Sequence, residues 1–85
     1  MDPRNLTSAQ FEHWVKTDLS TIPDVDMSTC RYIHKFKDGL AIIYVYGKAP
    51  GESDEALIRI YAVSEQGYLE IKDSGQWYVV SKEYK

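Results

Sequence analysis

The chain has 85 residues and a formal net charge of −3, which allows one domain with one core and disfavours a binder relying on many phosphate contacts. With 44% hydrophobic and 27% charged residues it has the composition of a globular domain, not of a disordered chain. A single cysteine, Cys30, excludes an internal disulfide, and the longest apolar run, Leu40 to Tyr46, is too short to span a bilayer.

Residues 1–5 offer no basic stretch leading into an apolar segment, so no secretory signal is expected, and a cytoplasmic location is expected by elimination. The first clear element follows. Thr7 can cap a helix, Gln10 completes a capping box, and Leu6 can staple against Phe11. Phe11, Trp14, Val15, Leu19 and Ile22 recur at spacings of three and four and form one apolar stripe. Pro23 disfavours helical geometry at Ile22, so a helix over about 7–20 is predicted. At roughly 1.5–3 kcal/mol for each fully buried large apolar side chain, that stripe must dock on something.

A polar connection over 21–30 leads into a sheet expected over 31–83. Five strand-like runs are separated by turn chemistry. Arg31–Lys37 and Leu40–Gly47 flank Asp38-Gly39, a strong two-residue hairpin signal. Pro50-Gly51 suits a type II turn before the run Glu55–Val63. Gly67 fits a left-handed loop position, and Tyr68–Lys72 and Trp77–Lys82 are joined around Ser74-Gly75. Short connections imply a meander with sequential neighbours paired. The expected fold class is therefore α+β: an N-terminal amphipathic helix on one face of a curved antiparallel meander of about five strands, in a single domain spanning 1–85.

Alternation sorts the strands into two faces. Tyr32, His34, Phe36, Ala41, Ile43 and Val45 carry no lysine, arginine or acid, nor do Ala56, Ile58, Ile60 and Ala62, so these are expected to meet the helix. Leu69, Ile71, Tyr78 and Val80 are expected to join them. The opposite face then collects Lys35, Ile42, Tyr44, Tyr46, Leu57, Arg59, Tyr61 and Trp77. Mixed aromatic, aliphatic and basic groups on a solvated sheet face point to an interface. The structural alternative is that these residues form cross-strand pairs, or line the inside of a closed barrel.

No constellation carries catalysis. Cys30 and His34 share a strand face but lie roughly 13 Å apart along extended chain, beyond hydrogen-bond reach. His34 reads as a structural histidine and Cys30 as a small core residue, while His13 falls on the exposed helix face. Asp24 and Asp26 lack the further oxygen ligands of a calcium loop, and Glu52, Asp54 and Glu55 read as surface charge. No enzyme activity, metal or cofactor is expected.

Charge is unevenly spread. In residues 29–48, Arg31, Lys35, Lys37 and Lys48 stand against Asp38 alone, while the segments on either side are each acidic. The leading expectation is a small protein-binding module that occludes a partner protein's surface, in the manner of small acidic inhibitors encoded by mobile elements. Its expected contact residues are Lys35, Tyr44, Tyr46, Arg59, Tyr61 and Trp77. One alternative is single-stranded nucleic-acid binding, with aromatics stacking bases while Arg31, Lys35, Lys37 and Arg59 track phosphates. Another is a homodimer that buries the same face.

Overall fold

The computed structural model describes residues 6–49 and 51–84. Residues 1–5, Pro50 and Lys85 lie outside them, and with them the readings of the N-terminal segment and of Pro50 in a turn; Gly51 has a positive φ of 84°. Helix α1 (Ser8–Leu19) is followed by a one-turn 3-10 helix (Met27–Thr29) and strands β1 (Arg31–Lys37), β2 (Leu40–Gly47), β3 (Ala56–Val63), β4 (Leu69–Asp73) and β5 (Gln76–Ser81). The strands form one antiparallel sheet in the order β1-β2-β3-β4-β5. The fold is α+β, and the sheet is open: β1 and β5 are its two edges.

Local chemistry sets the ends of α1. The Gln10 amide donates to Thr7 Oγ1 at 3.1 Å, and the Thr7 amide donates to Gln10 Oε1 at 2.9 Å. This capping box satisfies two amides that a helix start leaves without partners. At the other end, the Ser20 and Thr21 hydroxyls donate to the Thr17 and Asp18 carbonyls, each at 2.7 Å. Phe11, Trp14, Val15 and Leu19 are buried, and Ile22 and Leu6 pack beside them.

The Asp38-Gly39 turn has positive φ at both residues, 54° and 78°. This is the primed geometry whose twist matches the flanking strands, and glycine adopts it without strain. Lys37 thus opposes Leu40 and Phe36 opposes Ala41, as the two-residue loop predicts. Ser74-Gly75 repeats the device between β4 and β5. The helix face of the sheet contributes Ile43, Val45, Tyr61 and Leu69 to the core, with Tyr32, Ile58, Val63, Ile71 and Val80 packed against it. Tyr84 returns from β5 to meet Trp14 edge-on, ring centroids 5.7 Å apart.

The sorting of β3 needs correction. Val45 opposes Arg59 but the next residue, Tyr46, opposes Leu57, so Ile58 is an extra residue in a β-bulge. A bulge interrupts strict alternation and leaves Ile58 and Arg59 on the same side. From Arg59 onward every expected direction is inverted. Arg59 and Tyr61 face the helix, whereas Ile60 and Ala62 oppose Tyr44 and Ile42 on the outer face. Leu57, before the bulge, points outward as expected.

Two further expectations are revised in degree. Phe36 lies on the helix face of β1 but is 77% exposed, because it borders an open groove beside the first turn of α1. Tyr78, on the same face of β5, is also only partly covered. Gly47 closes β2 in close quarters: an added Cβ would lie 2.7 Å from Ile58 Cδ1 and 3.1 Å from Cys30 Sγ, so the Ile58 side chain would have to shift.

Candidate functional site

The outer face of the sheet has no second layer among the described residues, and its composition follows from the register. Cross-strand rows place Arg31 beside Tyr46 and Leu57, Ile33 beside Tyr44 and Ile60, and Lys35 beside Ile42 and Ala62. Across β4 and β5, Glu70 opposes Val79 and Lys72 opposes Trp77. Ala62 is fully buried and Ile42 nearly so, although they belong to the outer face. Their burial on a face without a second layer among the described residues gives this surface a packed aliphatic floor of its own.

Four of the expected contact residues lie on this face: Lys35, Tyr44, Tyr46 and Trp77. A cleft of about 90 Å³ brings two of them together, Tyr44 and Trp77, with Ile42 and Ile60 and with the charged groups of Lys37, Asp38 and Lys72. The Lys72 ammonium lies 5.9 Å from the Trp77 ring centroid, and the Arg31 guanidinium 5.6 Å from that of Tyr46. Both fall within cation–π reach. Arg31 also donates through Nε (2.8 Å) and Nη2 to the Glu55 carboxylate, whose pKa the guanidinium lowers. Lys35 and Lys37 make no ion pair with a described residue.

The other two expected contacts turn toward the helix, where they meet Asp18 in a half-buried polar cluster. Tyr61 is 0% exposed, and its hydroxyl donates to Asp18 Oδ2 at 2.5 Å. Arg59 Nη1 approaches the same oxygen at 3.4 Å. Burial, reinforced by the bond to Asp18, holds the Tyr61 phenol well above its ordinary pKa. Asp18 is four residues after Trp14 and three after Val15, on the margin of the apolar stripe. An acid there requires a partner from the sheet, and that was the available sign that Arg59 and Tyr61 turn inward. Ile60 and Ala62 were missed as members of the outer face because of the bulge, whereas Lys72 lies outside beside Trp77 as the alternation of β4 predicts.

The remaining chemistry-bearing residues are engaged locally. His34 Nε2 lies 3.0 Å from Glu12 Oε1, and its ring meets Phe11 edge-on at 6.4 Å. The histidine is therefore at the helix-face rim and exposed, not in the core. The His34 contact, aided by Lys16 at 3.1 Å, holds the Glu12 carboxyl below its usual range. Asp26 caps the 3-10 helix by accepting from the Ser28 amide at 3.1 Å and hydroxyl at 2.6 Å. Cys30 packs against the core, and burial pushes its thiol pKa up. Among the described residues, no three histidine, cysteine or acidic side chains are grouped to hold a metal ion.

Around Phe36 there is a larger, more open groove of about 300 Å³, lined by Leu6, Thr7, Ser8, Phe11, His34, Ala41 and Val63 among others. It lies at the N-terminal end of α1, where the described residues begin. No helix among the described residues is long and apolar enough to cross a membrane. Compared with protein-family models, curated proteins and solved structures, the chain shows no match.

Proposed function

We propose that the protein is a binding module whose outer sheet face docks a partner protein and acts by occupying that partner's surface. One observation carries this reading. The face away from the helix brings together an aliphatic floor, the aromatic groups Tyr44, Tyr46 and Trp77, and the cations Lys35, Lys37 and Lys72, which outnumber the acids Asp38 and Glu70 among them. Aromatic anchors beside a small cleft are the usual energetic centre of a protein interface, and charges at the rim select a partner of opposite sign. The fitting partner offers acidic side chains around one apolar residue sized for the cleft beside Trp77.

Nucleic acid fits the same face less well. Of the four cations expected to track phosphates, Arg31 is held by Glu55 and Arg59 is turned inward toward Asp18. The remaining lysines add little to the counterion release on which such binding depends.

The experiment is quantitative capture from a lysate of the source cells by immobilised wild-type chain and by the Tyr44→Ala/Trp77→Ala variant. The variant is expected to lose its specific partner, by about 30-fold or more if the pair acts as a hot spot of about 2 kcal/mol or more. Its far-ultraviolet circular dichroism should remain that of the wild type. Equal capture by a folded variant would overturn the reading, as would wild-type retention only of nucleic acid that salt removes.

A further inference from the structure

We propose that two copies of the chain pair through the free edge of β5, antiparallel about a twofold axis, to form one continuous ten-stranded sheet. The proposal rests on the contrast between the two edges. β1 carries Arg31, Lys35 and Lys37, and basic residues on an edge strand discourage further pairing. Antiparallel pairing of β1 with itself, centred on His34, would place Arg31 opposite Lys37 of the second copy. Like charges directly opposed are destabilising.

β5 has no such charge, and its one irregularity, a bulge at Val80, lies past Trp77, Tyr78 and Val79. Its sequence, Gln76-Trp77-Tyr78-Val79-Val80-Ser81, contains no charged residue. Tyr78 and Val79 point to opposite faces and are 48% and 44% exposed, so neither face of the strand is fully covered. Among the described residues β5 pairs only with β4.

Backbone geometry favours a copy of the same strand. The two-residue loop makes Asp73 and Gln76 the pair that exchanges both hydrogen bonds. Alternation then directs the polar backbone groups of Gln76 and Tyr78 to β4, and those of Trp77 and Val79 to the open edge. Residues opposed across a twofold axis normal to the sheet must share a face, so the axis can pass beside Tyr78. Trp77 then exchanges backbone hydrogen bonds with Val79 of the second copy, and Val79 with Trp77. The Tyr78 rings meet on the helix face, while Trp77 and Val79 meet on the outer face. Such an isologous contact closes on itself and leaves the charged β1 edges outermost. The edge requires no part of the outer-face docking reading, and its test needs no partner protein.

Light scattering across a concentration series is expected to take the wild-type chain from a mass of 9.8 kDa to twice that value. Hydrogen exchange followed by NMR is expected to show amides of Trp77 and Val79 protected in step with the dimer fraction. Tyr78→Lys and Val79→Lys, on opposite faces of the strand, are each expected to remove the dimer while retaining the helical circular dichroism. A wild-type chain that stays monomeric throughout the series overturns the proposal. So does a dimer in which those two amides exchange freely, since that dimer uses another surface. A dimer that survives in both folded variants overturns it as well.

Discussion

Removing one oxygen, in Tyr61→Phe, separates the fold-bearing tyrosine from the outer ones. The Tyr61 ring is fully buried, and its hydroxyl donates to Asp18, which also receives Arg59. Hydrogen bonds to charged groups contribute about 1.5–3 kcal/mol. Arg59 remains beside Asp18, and the Asp18 side chain retains 23% exposure, so water can compensate in part. The expected loss is therefore about 1–2 kcal/mol. For a domain of this size that lowers Tm by about 4–16 °C. Urea unfolding followed by Trp14 fluorescence measures it.

The difference also depends on pH, with a definite sign. The folded phenol has a pKa above its unfolded value of about 10. Its contribution is therefore complete below pH of about 10 and declines as pH rises through the folded value. The gap between wild type and Tyr61→Phe should be constant near neutrality and narrow under alkaline conditions. Equal stability at neutral pH, or a gap that widens with alkali, would refute a stabilising Tyr61–Asp18 bond. Tyr32, whose pKa burial and Cys30 push up to about 12, adds an alkaline loss of the same sign that cancels in the comparison.

Other substitutions check separate parts of the account. Thr7→Ala removes the capping box and should cost about 1 kcal/mol in thermal unfolding, with the loss localised by exchange of the first-turn amides. Gly47→Ala should destabilise by about 1 kcal/mol through its clash with the tip of Ile58. Adding Ile58→Val, which removes Cδ1, should recover part of that cost, and additive losses in a double-mutant cycle would contradict the contact. Phe36→Ser should change stability by less than about 0.5 kcal/mol because the ring is solvated. Glu12→Gln should cost a few tenths of a kcal/mol near neutrality. That cost should disappear as acid protonates the wild-type carboxylate through its lowered pKa.

Much of the fold was legible because its signals are local. Thr7 with Gln10 sets the helix start, and Asp38-Gly39 sets the register of β1 and β2 and with it the inward direction of Ile43 and Val45. Absence of charge was a sound guide to the inner face on those strands. It failed on β3, where Arg59 is an inward cation matched by Asp18 from the helix. Alternation could not reveal the bulge at Ile58, because the room for its side chain comes from another strand, at Gly47, which has no Cβ to fill it. The candidate site was correspondingly half legible. Tyr44, Tyr46, Lys35 and Trp77 follow from the hairpins, whereas the outward places on β3 assigned to Arg59 and Tyr61 belong to Ile60 and Ala62. Phe36 shows a different limit: its face was readable, but the point at which α1 stops covering that face was not.

The claim that the two faces divide the labour is tested most directly by mapping amide and side-chain NMR shifts of the labelled chain as the captured partner is titrated in. The account predicts shifts at Ile33, Lys35, Tyr44, Tyr46, Ile60, Lys72 and Trp77, with Trp14, Val15 and Tyr61 unmoved. Shifts concentrated instead on Phe11, His34 and Phe36, around the groove at the start of α1, would contradict it.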